Sequence, residues 1–217
     1  VGPRAFQRGE RLYGRRREVL ELVDLLIAER IVLLYSPSGA GKTSLLQAAL
    51  LPQMEEESFT VLPPMRLSMA PPDAGAARTG NPYLLSLLLS LEEGLPPDEQ
   101  TPLAELSGMS LAGYLDGWQA ARGGHEDVLL VFDQFEEILT LETGNRAARE
   151  ELLAQVGSAL RDRRRWAILA MREEFVAGLD PYLPLLPTRL ATRYRLELLG
   201  LDGAQEAMQR PAATVGV

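Results

Sequence analysis

Three short stretches of this chain are apolar from end to end: IVLLY at Ile31–Tyr35, VLLVF leading into Asp133, and WAILA leading into Met171. A strand with one wet face alternates apolar and polar residues. A strand with no polar residue must be covered on both faces, which is the habit of central strands in parallel sheets. Between the runs lie stretches with helical spacing. Arg15–Arg30 carries Val19, Leu22, Val23, Leu26 and Ile27 on one predicted stripe. Helices are also predicted over Thr43–Leu51, stopped by Pro52; over Asn81–Leu91, with Pro82 in the first turn; as one or two short pieces within Leu103–Arg122; over Ala147–Arg161; and from Asp202 to Gln209, ended by Pro211. Phe59–Ser68, interrupted by Pro63 and Pro64, and Arg193–Leu199 are weaker strand candidates. Met69–Gly80 and Glu92–Pro102 read as loops. Such alternation implies an α/β fold: a parallel sheet of about five strands with helices on both faces, a three-layer sandwich. In such sheets ligands bind beyond the carboxyl ends of the strands.

The loop after the first apolar run is the next constraint. Ser36-Pro37-Ser38-Gly39-Ala40-Gly41-Lys42-Thr43-Ser44 joins a predicted strand to a predicted helix. Gly39 and Gly41 can take backbone angles that aim successive N–H groups at one point. The helix start adds its own unpaired N–H groups. This is a phosphate-binding loop of the form GxxxxGK[ST], with Ser36 in place of the first glycine. Lys42 would reach the β- and γ-phosphates, and Thr43 would offer its hydroxyl to Mg²⁺. Of 22 basic residues, 21 are arginine, and the single lysine falls on the position the motif requires.

Asp133 closes the second apolar run and could hold Mg²⁺, as a carboxylate does there in P-loop enzymes. The same position also suits a turn or helix cap. The next residue, where many ATPases carry a water-polarising glutamate, is Gln134, which cannot take a proton. Glu136 and Glu137 are the nearest carboxylates that could; equally, two acids suit a helix start. Arg172 follows the third run. Beside the phosphate-loop strand it would point at a γ-phosphate; otherwise it would pair with Glu173 or Glu174. His125 has no evident partner, and the Arg161–Arg165 run (RDRRR) reads as a solvated helix end.

Composition removes other classes. There is no cysteine and one histidine, so disulfides, thiolate metal sites and multi-histidine metal sites are excluded. A net charge of −8 disfavours a phosphate backbone as partner, so no nucleic acid is expected. No apolar stretch approaches the ~20 residues needed to cross a bilayer, so no membrane is expected. The chain opens on Val1 with no charged-then-apolar leader, which predicts a cytoplasmic protein, processed or cut from something longer. Guanine recognition by an Asn/Thr-Lys-x-Asp motif is impossible, because the one lysine is already in the phosphate loop. A small-molecule kinase and a non-catalytic interaction module remain as alternatives to an ATP hydrolase.

These residues resemble the STAND-type P-loop NTPases, the signal-transduction ATPases with numerous domains, and their bacterial novel STAND branch in particular. The likeness rests on Leu12-Tyr13-Gly14-Arg15 with Glu18, SPSGAGKTSLLQAALLP over Ser36–Pro52, VLLVFDQFEEILTL over Val128–Leu141, and AMREEF over Ala170–Phe175. It implies an ASCE/AAA-like core that binds ATP or ADP with Mg²⁺. Tyr13, Gly14 and Arg15 would border the base and ribose; where the family usually has an acid next, this chain has Arg16. Ser38 to Ser44 would cradle the phosphates, Glu136 and Glu137 would position water, and Arg172 would be the sensor arginine. The resemblance further implies a slowly hydrolysing switch within a larger bacterial signalling or defence protein, with nucleotide-controlled homo-oligomerisation. On this reading residues 1–30 border the nucleotide, and residues 31–217 form the core with a helical insertion near 81–122. The winged-helix lid, sensor and effector would lie outside this chain.

Overall fold

The computed structural model describes residues 4–67, 81–140, 146–201, 203 and 205–207. In order, the elements are α1 (Arg16–Glu29), β1 (Ile31–Ser36), α2 (Lys42–Leu45), a π-helical turn (Leu46–Leu50), α3 (Leu51–Glu56), β2 (Thr60–Val61), α4 (Pro82–Glu92), α5 (Leu103–Leu106), α6 (Leu111–Ala120), β3 (Val128–Phe132), α7 (Glu137–Thr140), α8 (Arg146–Ala159), β4 (Arg165–Arg172), a 3₁₀ segment (Glu173–Leu185) and β5 (Arg193–Arg195). Residues 201, 203 and 205–207 are helical, as predicted for that stretch; the predicted Met69–Gly80 loop and Pro211 lie outside the described residues.

The five strands form one sheet in the order β2-β3-β4-β1-β5, and every pairing is parallel. Side chains alternate between two cores. Ile31 and Leu33, Leu130 and Phe132, and Leu169 and Met171 face one core, which α4, α6 and α8 cover. Val32 and Leu34, Leu129 and Val131, and Ile168 and Ala170 face the other, covered by α1 and the α2–α3 segment. Hence the wholly apolar runs: neither face meets water. Each large aliphatic side chain so buried contributes about 1.5–3 kcal/mol relative to exposure.

Four sequence expectations are corrected. Ile27 is 46% exposed, because it lies roughly a quarter-turn around the helix from the buried stripe of Val19, Leu22, Val23 and Leu26. Pro52 does not stop its helix. The Leu51 N–H bonds to the Leu46 carbonyl five residues back, and this wider turn lets a residue with no N–H enter the helix, which runs on to Glu56. The second strand is only Thr60–Val61 plus a bridge from Met65 to Phe132, since Pro63 and Pro64 lack the donors a ladder needs. Beyond it α4 takes over from a neighbouring strand: buried Ser86 donates to the Arg66 carbonyl at 3.0 Å, and buried Ser90 accepts from its N–H at 3.1 Å. Finally, the Arg161–Arg165 run is not all solvated. Arg165 is 1% exposed beneath α6, where its guanidinium donates to Gln119 and Asp116 and to the Ala159 carbonyl.

Two helical glycines make a paired test of packing. A Cβ on Gly157 in α8 would lie 2.0 Å from the Leu185 carbonyl oxygen, whereas one on exposed Gly117 in α6 would meet nothing within 4 Å. Helix propensity favours alanine over glycine by about 0.5–1 kcal/mol at both. Gly117→Ala should therefore stabilise the protein by about that amount. Gly157→Ala should destabilise it, because backbone must move apart. Urea unfolding midpoints of the two variants check both signs.

Candidate functional site

The parallel register decides what meets at the carboxyl edge. β4 lies between β3 and β1, with Ser36 opposite Arg172 and Phe132 opposite Leu169. The loop after β1, Asp133 after β3, and Arg172 at the end of β4 therefore converge. They line a cavity of about 450 Å³ together with Ser38, Gly39, Gly41, Lys42, Thr43, Ser44, Gln134 and Glu136.

Gly39 and Gly41 have φ of +79° and +88°, and a Cβ on either would meet open space. Glycine is thus required for the backbone angle and not for room. α2 begins directly after Gly41, and the first N–H groups of a helix have no intrahelical partner. Ala40 does not line the cavity. Its side chain is packed in the core beneath the loop, and its carbonyl accepts from the Arg15 guanidinium at 3.1 Å.

Lys42 extends back along the loop and donates to Ser36 Oγ at 2.7 Å. Ser36, the departure from the glycine pattern, is thus the lysine's partner. Burial pushes the ammonium below its usual range, while Glu136 and Asp133 pull it up. Thr43 Oγ1 donates to the Asp133 carboxylate, 3.1 Å from Oδ2 and 3.3 Å from Oδ1. Asp133 is 3% exposed, and burial pushes its carboxyl above the usual range; the Thr43 hydroxyl and the Gln134 N–H, at 3.0 Å, offset this in part. Gln134 has φ of +56°, a left-handed turn that carries the chain from the strand into α7.

The two candidate glutamates part company. Glu136 is buried in the cavity wall, with Oε1 3.2 Å from Arg172 Nε and Oε2 accepting the Arg172 N–H at 3.3 Å. Glu137 opens α7 and turns away, accepting the Leu67 N–H at 3.3 Å; it is not among the lining residues. Arg172 pairs with Glu136 and not with Glu173 or Glu174; Glu173 instead holds Arg195 at 2.9 Å.

Tyr13, Gly14 and Arg15 line a second cavity, of about 630 Å³, with Arg11, Ala48 and Ala49 among its walls. Gly14 has φ of +78° and abuts Gly203, whose carbonyl oxygen would lie 2.3 Å from an added Cβ. Arg15 is 6% exposed; besides Ala40 it donates to Glu18 at 2.7 Å and to the Glu197 carbonyl at 2.8 Å. Its donors tie the phosphate loop to the start of α1 and the chain beyond β5. Sequence reasoning set residues 1–30 beside the nucleotide but singled out none before Leu12, and it is these that run between the cavities. Arg4 and Ala5 line the first, Arg8 to Leu12 the second, and the Phe6 N–H donates to Ser44 Oγ at 3.1 Å. No spacing rule links Phe6 to Ser44, so nothing in the sequence marked this contact.

Hard oxygen donors from Thr43 and Asp133, beside a loop built for phosphate, suit Mg²⁺ completed by phosphate and water. Among the described residues no group of three or more His, Cys, Asp or Glu could hold a metal by itself. No described helix is long and apolar enough to cross a membrane.

Comparison with known proteins fits this geometry. The sequence profile of the Novel STAND NTPase 1 family matches residues 2–217. No curated protein matches the chain. Among solved structures, a Walker-type ATPase of Pyrococcus abyssi is similar at TM-score 0.66 and 20% identity, covering 100% of this chain and 62% of its own length. The ADP form of Aeropyrum pernix ORC2 is similar at TM-score 0.58 and 12% identity, with 98% of this chain and 55% of that one covered. A Drosophila ORC structure gives TM-score 0.53 and 11% identity over 91% of this chain and 31% of that one. At such identities the likeness concerns the fold, which is that of the P-loop NTPases. This chain spans about three-fifths of the archaeal ATPase.

The buried charge of Asp133 has a measurable consequence. Its folded pKa lies above its unfolded one, so at neutral pH the ionised carboxylate disfavours folding, and that cost fades as pH falls through the folded value. Asp133→Asn should therefore be more stable than wild type at pH 7 without added ligand. The gap should close toward about pH 4. Urea midpoints at both pH values read it.

Proposed function

This chain belongs to the Novel STAND NTPase 1 family, and we propose that it binds ATP and ADP with Mg²⁺ and hydrolyses ATP slowly. The observation that carries the reading is the contact of Thr43 with Asp133 beside the chain's only lysine, at the mouth of a left-handed glycine loop. Lys42 and the loop amides from Ser38 to Ser44 grip the phosphates. Thr43 and Asp133 hold Mg²⁺, which when bound neutralises developing charge on the phosphates. Glu136 orients the attacking water and accepts its proton. Arg172, at the neighbouring strand end, meets charge on the transferred phosphoryl group. For this the Arg172 guanidinium must loosen its hold on Glu136, and a γ-phosphate competing for the arginine supplies the means. The cavity at Tyr13 and Gly14 takes the base, and Arg15 holds the loop in shape from behind.

We further read the chain as the regulatory switch of a larger cytoplasmic signalling or defence protein. Residues 1–30 border the nucleotide, and residues 31–217 form the core with its helical insertion. The lid, sensor and effector domains, and a homo-oligomer formed with ATP, belong to the parent polypeptide. A switch requires its two nucleotides to favour two conformations by several kcal/mol. A weakly catalytic binding module is the second reading; Gln134 directly after Asp133, and the engagement of Glu136 by Arg172, favour it.

Nucleotide titration and turnover separate the readings. Lys42→Ala should bind a fluorescent ATP analogue about 10- to 100-fold more weakly. Glu136→Gln should keep binding and lose about 100-fold or more in hydrolysis, while Glu137→Gln should match wild type. Equal turnover in wild type and Glu136→Gln would favour the binding module.

A further inference from the structure

The segment ahead of α1 is tied to the phosphate loop at Ser44 and to α3. The Phe6 N–H donates to Ser44 Oγ at 3.1 Å, and Arg8 pairs with Glu55 on α3. The Glu10 N–H returns to the Gln7 carbonyl at 3.1 Å, and Glu10 Oε2 accepts the Gln7 N–H at 2.6 Å. These bonds fold Gln7–Glu10 into a turn and set Arg4 and Ala5 into the wall of the cavity that Lys42, Thr43 and Ser44 line. Arg4 is there held by a two-point fork to Glu10, at 2.8 and 2.5 Å. The arginine side chain is 63% exposed and the glutamate 34%, so water screens their attraction. Arg4 holds the Glu10 carboxyl down to about 2, so at neutral pH the pair is ionised.

Charge counting gives this placement a use. The lining side chains carry three cations (Arg4, Lys42, Arg172) and two anions (Asp133, Glu136), a net of +1. Arg172 is engaged by Glu136, and Lys42 is bonded to Ser36. Without Arg4 the lining side chains would carry no net charge, and the loop amides and the metal alone would attract a polyanion. A guanidinium fork fits phosphate oxygens as well as it fits a carboxylate.

We propose that Arg4 is a phosphate ligand of this site, kept in the cavity wall by Glu10 and handed to the nucleotide's phosphates when these bind. The proposal rests on the nucleotide-binding reading above. Arg4 is thus a cationic arm supplied by the segment before α1, and its ion pair with Glu10 is a resting position.

Calorimetric titration of the purified chain with ATP and Mg²⁺ tests it, using wild type, Arg4→Ala, Arg4→Lys and Glu10→Gln. Arg4→Ala should bind about tenfold more weakly and Arg4→Lys should recover part of the loss. Glu10→Gln should bind at least as tightly as wild type, because it releases the arm without removing it and keeps an acceptor for Gln7. Unchanged affinity in Arg4→Ala overturns the proposal. So does a Glu10→Gln loss matching that of Arg4→Ala, which would make the pair a mere staple. Wild-type binding with either result leaves the nucleotide reading standing; no binding by wild type removes both.

Discussion

β4 sits between β3 and β1, and everything at the site depends on that insertion. Parallel strands end at the same edge, so three chain segments far apart in sequence deliver their last residues to one place. The register puts Arg172 opposite Ser36, and Asp133 one residue beyond the pair of Phe132 and Leu169. No loop has to reach across the molecule. The two apolar cores that hold the sheet against its helices are therefore also what fixes the spacing of the cations and carboxylates.

A cluster of ionisable groups at a buried edge is costly, and the structure shows how the cost is distributed. Asp133 is sheltered from water and relieved in part by the Thr43 hydroxyl, the Gln134 amide and the charges of Arg66 and Lys42. Lys42 is the mirror case, depressed by burial and steadied by the carboxylates. Glu136 and Arg172 satisfy each other through the guanidinium and the backbone N–H. On the proposed reading, a ligand that brings both negative phosphate and a metal would give each of these charges a better partner than it has now.

Much of this could be read from the residues. The apolar runs gave the central strands because their hydrophobicity reports burial on two faces, and Gly39 and Gly41 revealed the loop because only glycine takes its backbone angles cheaply. The failures have equally local causes. Pro52 looked like a stop, but a π turn admitted it. The 3₁₀ segment from Glu173 to Leu185 carries Pro181 and Pro184 and has no periodicity to betray it. Arg165 sat in a run of charges that resembled a wet helix end, yet long-range contacts with Gln119 and Asp116 bury it. Glu136 and Glu137 are neighbours in sequence and indistinguishable there. Only the left-handed turn at Gln134 decides that one enters the cavity and the other caps a backbone amide. Arg4 was invisible because its place depends on a hydrogen bond between residues 38 positions apart.

On the proposed reading the metal sits at Thr43 and Asp133, with the nucleotide's phosphates in the loop beside it. A crystal of the chain grown with a non-hydrolysable ATP analogue and Mn²⁺ tests it most directly, because anomalous scattering locates the ion. One strong peak is expected within about 2.0–2.3 Å of Thr43 Oγ1, with Asp133 bonded to the ion or its water and the β- and γ-phosphates against the Lys42 amide. A nucleotide bound elsewhere, or a metal peak remote from both side chains, would contradict it.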